Sequence, residues 1–168
     1  MSNAVIVEYA RTALTKSFKG GFNTTHGASL AATPVKSVVE NSGVDPAEVE
    51  DVIIGCGFPE GAAGNNIGRQ IALLSGLPEI VPGFTINRFC SSGVQSIALA
   101  AQRIIAGEGN TYIAGGMETI SLVQPFLNKH GDEDAAVLKR FPGIYWTMLK
   151  TAEEVATVSY THLTLPTI

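Results

Sequence analysis

Cysteine is scarce in this chain: 168 residues carry two, Cys56 and Cys90. They form no C-x-x-C pair, no zinc pattern and no disulfide framework, so a redox-staple protein is excluded and a reduced, cytoplasmic setting is expected. Charge is also sparse, at 15% of residues against 45% hydrophobic, with a net charge of −4. Such a balance leaves no basic footprint for nucleic acid or an anionic membrane surface, and neither is expected as a partner. Long apolar runs are missing too. The opening run M-S-N-A-V-I-V is broken at Glu8, too soon for a signal sequence, and no stretch is long enough to span a bilayer. The three histidines, His26, His130 and His162, are scattered without metal-ligand spacing, and each reads as solvated; no metal is expected. No internal repeat or low-complexity segment is evident.

What the chain does have is enough apolar residue for a core, in a length that suits one ordinary domain. Strand and helix signals alternate, which argues for α/β layering. Strands are expected at Val5–Tyr9, at V-I-I-G-C (52–56), at Ile80–Asn87 and at Tyr112–Ala114. Their continuous apolar character suits strands covered on both faces. Helices are expected near 29–42, 65–76 and 91–106, with Gly43 and Gly107 as C′ stops for the first and third. Pro34 conflicts with the first of these. Placing Thr33 at the N-cap and Pro34 at N1 gives a short helix ending near Ser42, preferred here over a longer kinked helix from about Ser29. The third helix carries Val94, Ile97, Ala98, Leu99, Ala101, Ile104 and Ile105, apolar on nearly every side, and is expected to be buried between layers.

Beyond Ser121 the alternation stops. N-K-H-G-D-E-D (128–134) reads as a polar connection and F-P-G-I-Y-W (141–146) as a loop that packs an aromatic cluster. Thr151 and Glu154 form a T-x-x-E capping box for a last helix.

The residue richest in chemical implication is Cys90, in N-R-F-C-S-S-G (87–93), where the third strand meets the third helix. A thiol there faces unsatisfied helix N–H groups and the positive end of the helix dipole, both of which favour the nucleophilic thiolate. Ser91, Ser92 and Gly93 leave room for a thioester carbonyl beside backbone donors. A buried structural cysteine is the competing reading, and spacing alone leaves the two open. Cys56, inside a strand, reads as core. Other motifs weigh less. G-C-G-F-P-E-G (55–61) has its third glycine one residue late for a dinucleotide loop, and Ser92 lacks the G-x-S-x-G frame of a hydrolase elbow.

The segment N-R-F-C-S-S-G-V-Q-S-I-A-L-A-A-Q-R-I closely resembles the nucleophile segment of the thiolases, which make or break 3-oxoacyl-CoA thioesters. A-R-T (10–12), G-R-Q (68–70), A-G-G-M-E-T-I-S (114–121) and T-A-E-E-V-A (151–156) match the family in the same order. The resemblance runs from about Val5 to about Ala156. It implies the N-terminal half of a thiolase, an α/β fold with a layered mixed sheet, a buried helix carrying the nucleophile, and an incomplete domain. Residues 1–120 would form that domain, 121–157 the start of the region covering acyl-CoA, and 158–168 a tail foreign to the family. Cys90 becomes the cysteine that carries the acyl group. Met117 and Glu118 fall in a family motif near the active site, although a buried loop anchor explains them equally well.

The resemblance also implies the substrates: acyl-CoA and coenzyme A, with no separate cofactor. The net negative charge offers no bulk attraction for this polyanion, so phosphate contacts must be local. The family takes a histidine in a G-H-P motif and a second cysteine in a glycine-rich motif from its second half, and neither motif occurs in this chain. A truncated, inactive half is therefore expected, from a full-length enzyme that forms a homo-oligomer and serves fatty acid β-oxidation or the reverse condensation. Two alternatives remain at this level: a related condensing enzyme, such as a ketosynthase or hydroxymethylglutaryl-CoA synthase relative, and a non-catalytic acyl-binding or assembly subunit.

Overall fold

The computed structural model describes residues 3–159. The chain divides into two compact units, the first ending at Leu127 and the second beginning at Asn128. Helix α4 (Ile120–Val123) therefore belongs to the first unit.

Three strands form the sheet of the first unit: β1 (Asp51–Gly55), β2 (Gly83–Ile86) and β3 (Tyr112–Gly116). Their order is β2–β1–β3, and both pairings are parallel, with Val52 opposite Gly83 and Asp51 opposite Tyr112. Helix α2 (Ile67–Leu74) connects β1 to β2, and α3 (Ser92–Ala106) connects β2 to β3. The second connection passes back across β1. With right-handed crossovers, that reversal of direction puts the two helices on opposite faces of the sheet.

The core agrees with this layering. Val52, Ile54 and Cys56 pack with Ile67, Ile71 and Ala72 of α2 and with Ala28, Ala31 and Val35 of α1 (Gly27–Ser42). Side chains alternate along a strand, so Ile53, with no exposed surface, points to the opposite face, where α3 lies. Every residue of β1 is buried, as the continuous apolar run predicts for a strand covered on both sides.

Several expectations change. Val5–Tyr9 forms no strand; it has no regular secondary structure, and Val5, Ile6, Val7 and Tyr9 are exposed. A strand needs a partner for its N–H and C=O groups, and among the described residues none is offered to it. Helix α1 runs through Pro34 instead of starting there. Its first two turns bury Gly27, Ala28, Ala31 and Ala32, apolar contact that offsets the hydrogen bond lost at the proline. His26, expected to be solvated, is exposed but also caps this helix: its Nδ1 accepts from the Ala28 N–H at 3.2 Å.

Helix α3 is not interior. It buries Ser92, Ser96 and Ala100, whereas Val94 is 70% exposed and Ile97 44%. Small side chains face the sheet because the backbones meet closely there. A Cβ on Gly55 would stand 2.3 Å from the Ser92 carbonyl carbon. The larger apolar residues are turned outward as a result.

In the second unit, α5 (Ala135–Arg140) is capped by Asp134, whose Oδ1 accepts from the N–H groups of Ala136 and Val137. Helix α6 spans Met148–Ser159. The proposed capping box is therefore misplaced: Thr151 lies inside the helix, donating through Oγ1 to the Thr147 carbonyl, and Thr147 Oγ1 receives the Lys150 N–H. The 141–146 loop forms no packed cluster, with Phe141, Ile144 and Tyr145 exposed; Trp146 stacks locally on Gly143 and under the Lys150 ammonium. Of the expected tail, Val158 and Ser159 continue α6, and 160–168, including His162, lies outside the described residues. No helix among the described residues is long and apolar enough to cross a membrane.

Candidate active site

In a parallel sheet of this type, the crevice for ligands lies beyond the carboxyl ends of the strands, where the strand order reverses. Here the three carboxyl ends lead into Cys56–Gly57 after β1, Asn87–Cys90 after β2 and Met117–Glu118 after β3. The sheet topology thus gathers residues from three separated motifs at one end.

Cys90 is exposed, which removes the buried-structural reading of this thiol. It sits in a short 3₁₀ turn, Phe89–Ser91, immediately before the first turn of α3. Phe89 has φ of 46°, a left-handed conformation that costs a bulky L-residue on the order of 1–3 kcal/mol and is held only where its surroundings impose it. The surroundings do so with four hydrogen bonds. Asn87 Oδ1 accepts from the Phe89 N–H at 2.8 Å, and Ser92 Oγ accepts from the Arg88 N–H at 2.8 Å. Ser92 Oγ also donates to the Phe89 carbonyl at 2.6 Å, and Ser91 Oγ donates to the Arg88 carbonyl at 2.9 Å. Sequence reading treated the two serines as small residues that leave room. Their further role, clamping the strained turn, has its signal in a serine pair at a strand-to-helix junction, where hydroxyls compete for local backbone partners.

The β3 motif contributes in two ways. Met117 is buried and anchored: its N–H donates to the Gly55 carbonyl at 2.9 Å, and its sulfur would stand 2.5 Å from a Cβ on Gly27. Glu118 instead reaches across the sheet end. Its Oε2 accepts from the Gly57 N–H at 2.7 Å, and its Oε1 lies 3.6 Å from the Cys56 sulfur. Burial first, and then the Glu118 charge, pushes the Cys56 thiol up to about 12. Cys56 is consequently a protonated core residue that donates to the carboxylate; it is core as expected, but one residue past β1 and not inside it.

The remaining motif residues are structural. In G-R-Q, a Cβ on Gly68 would meet the Phe84 carbonyl oxygen at 2.2 Å, so only glycine lets α2 lie on β2 at this point. Arg69 donates to the carbonyls of Val81 and Glu79, and Gln70 to those of Gly64 and Asn65. Arg11 of A-R-T makes only a local bond to the Thr12 carbonyl. His130 is exposed. A cavity of about 1050 Å³ exists in this unit, lined by residues 4–15 and by parts of α1, α3 and β3. Cys90 is not among its lining residues, so it is not the pocket of this thiol. Among the described residues no cluster of His, Cys, Asp or Glu could hold a metal ion.

Fold and site together define an α/β domain that presents one exposed thiol on a strained strand-to-helix turn. Residues 4–140 match the family model of the thiolase N-terminal domain. The chain is 43% identical over 156 residues to a 3-ketoacyl-CoA thiolase of Bacillus subtilis, covering 93% of this chain and 40% of that protein. It is 46% identical over 127 residues to an acetyl-CoA acetyltransferase of Escherichia coli, covering 76% of this chain and 32% of that protein. A β-ketoadipyl-CoA thiolase of Acinetobacter baylyi is 43% identical over 122 residues, covering 72% of this chain and 30% of that protein. The chain belongs to the thiolase family. It spans two fifths or less of the length of these curated relatives.

Proposed function

We propose that Cys90 is the acyl-carrying nucleophile of a thiolase-type acyltransferase acting on 3-oxoacyl-CoA. The observation that carries this is the exposed Cys90 thiol on the Phe89 turn, at the carboxyl end of the sheet and the start of α3. Such a turn lifts one side chain out of the layers and beside the N–H groups of the following helix, as nucleophile turns on other α/β sheets do.

In the proposed reaction the Cys90 thiolate attacks the ketone carbon of a 3-oxoacyl-CoA. The bond between that carbon and its α-carbon breaks, the electron pair leaves as the enolate of acetyl-CoA, and an acid protonates it. The acyl group stays on sulfur as a thioester. Coenzyme A, as thiolate, then attacks this thioester and releases a shortened acyl-CoA and free Cys90, a double displacement. Run in reverse, the same bonds condense two acyl-CoA molecules. The Cys90 backbone N–H is the donor this chain would offer to the oxyanion. The G-H-P and glycine-rich cysteine motifs that supply acid and base in the family do not occur in the chain, which alone should accept an acyl group without completing the cycle. Coenzyme A thioesters are substrates in this reading, with no further cofactor. A cytoplasmic homo-oligomer is the expected setting of the whole enzyme.

Incubation with acetoacetyl-CoA, followed by peptide mass mapping, tests the assignment. An acyl adduct on Cys90, absent in Cys90→Ala, is expected. An adduct on Cys56 instead, or no adduct on a Cys90 that still reacts with iodoacetamide, overturns it.

A further inference from the structure

We infer that Glu118 is a positioning residue for Cys90, holding the loop after β1 against the strained turn that carries the thiol. The inference rests on the acyl-carrying role proposed above and adds to it a residue from a different strand.

Three observations converge on this carboxylate. It accepts from the N–H of Gly57, a buried residue 61 positions earlier in the chain, at 2.7 Å. A buried N–H left without an acceptor is costly, so this bond restricts where the loop after β1 can sit. The second oxygen of Glu118 lies 3.6 Å from the Cys56 sulfur, so both ends of the carboxylate are engaged by the same loop. The third observation concerns space. A Cβ built on Gly57 would lie 2.9 Å from Glu118 Oε2 and 3.5 Å from the Phe89 carbonyl oxygen. The Gly57 Cα therefore faces both groups: an added methyl would rest in ordinary contact with the Phe89 carbonyl but would crowd the end of the Glu118 side chain. Phe89 is the residue whose φ of 46° sets the direction of Cys90.

The ends of the three strands thus meet here: Glu118 after β3 holds Gly57 after β1, and Gly57 lies beside the Phe89 carbonyl after β2. The clamp by Ser91, Ser92 and Asn87 is local to the turn; Glu118 adds a hold from β3 on the loop beside it. Without it, the Gly57 N–H loses its acceptor and the loop, still held at Cys56 by the Ile86 carbonyl, can shift beside the Phe89 peptide. The backbone N–H of Cys90 shares that peptide chain and would move with it. Attack on a thioester carbonyl needs the thiol and that N–H in fixed relation, because an oxyanion forms. Alkylation by iodoacetamide forms no oxyanion and needs only the thiol. The ratio of the two rates therefore reports positioning, whereas a loss of stability alone leaves the ratio in the folded protein unchanged.

The test measures acylation of Cys90 by acetoacetyl-CoA and its alkylation by iodoacetamide, on the full chain, alongside a thermal melt. Glu118→Ala should lower the acylation-to-alkylation ratio at least tenfold. Glu118→Gln keeps an acceptor oxygen for the Gly57 N–H and should restore the ratio to within twofold of wild type. Gly57→Ala crowds Glu118 Oε2 and so disturbs the same hydrogen bond from the other side; it should lower the ratio in the same direction as Glu118→Ala, and it serves should that variant fail to fold. A folded Glu118→Ala or Gly57→Ala protein with an unchanged ratio overturns the inference while Cys90 keeps its role. Wild-type protein whose Cys90 alkylates but takes no acyl group overturns the acyl-carrying role itself.

Discussion

The two thiols of this chain are separated chemically by where the backbone leaves them. Cys56 follows directly on β1, is 1% exposed, and donates its proton toward Glu118. Burial and that carboxylate raise it to about 12 from an ordinary value of 9.0. The folded state therefore holds this proton over a pH range in which the unfolded chain has released it. Stability from this group is fully present below about pH 9 and is lost as pH rises from about 9 toward 12. At pH 10 the loss should approach ~1.4 kcal/mol relative to pH 8, one unit of protonation difference. Urea unfolding at the two pH values, compared with Cys56→Ala, isolates it: the wild type should lose that much more than the variant. Parallel losses would mean that Cys56 ionises normally in the fold. The same burial should make Cys56 at least ~100-fold slower than Cys90 toward iodoacetamide near neutral pH, because the thiolate is the reacting form. Comparable labelling by peptide mass spectrometry would contradict it.

At the level of elements, glycine sets how closely helices approach the sheet, and its effect differs from site to site. A Cβ at Gly68 would stand 2.2 Å from the Phe84 carbonyl oxygen, a rigid backbone atom. Gly68→Ala should therefore push α2 off β2 and cost about 2 kcal/mol or more, typical of overpacking where nothing flexible can yield. At Gly115, inside β3, a Cβ meets nothing within 4 Å, and the backbone is ordinary. Gly115→Ala should leave stability within ~0.5 kcal/mol or raise it, since the unfolded chain loses freedom. Equal effects in chemical denaturation would show that close approach is not what selects glycine at position 68. These two glycines also mark what sequence could and could not convey. β1 was legible to within one residue at each end because Val52, Ile53 and Ile54 form a continuous apolar run, and the place of Cys90 between strand and helix because its flanks change pattern there. The Val5–Tyr9 strand was misread because a local apolar pattern states a preference for pairing without naming a partner. Burial of α3 was misread because its contact face is made of Ser92, Ser96 and Ala100, residues that an apolar count ranks low. Pro34 misled for a related reason: long-range burial of the first two turns of α1 outweighed one local hydrogen bond. Glu118 lies 61 residues from the N–H it binds, a relation created only by the sheet order.

Across the first unit, much apolar surface is left uncovered. Val94, Ile97 and Ile105 are exposed on α3, and Val5, Ile6 and Val7 are exposed along the N-terminal segment. Strands β2 and β3 are edges of a three-stranded sheet, each paired on one side only among the described residues. Open edges and contiguous apolar faces both promote association between copies. The chain on its own should therefore self-associate in solution, with a mass by light scattering that rises with concentration. Charge placed on the bare face separates the two causes. A Val94→Glu, Ile97→Glu double variant alters side chains that are 70% and 44% exposed, so it should fold as well as the wild type. If the α3 face drives association, the double variant shifts the distribution toward monomer; if the strand edges drive it, the distribution is unchanged. A wild-type chain that stays monomeric at all concentrations and melts cooperatively would show that neither surface is adhesive.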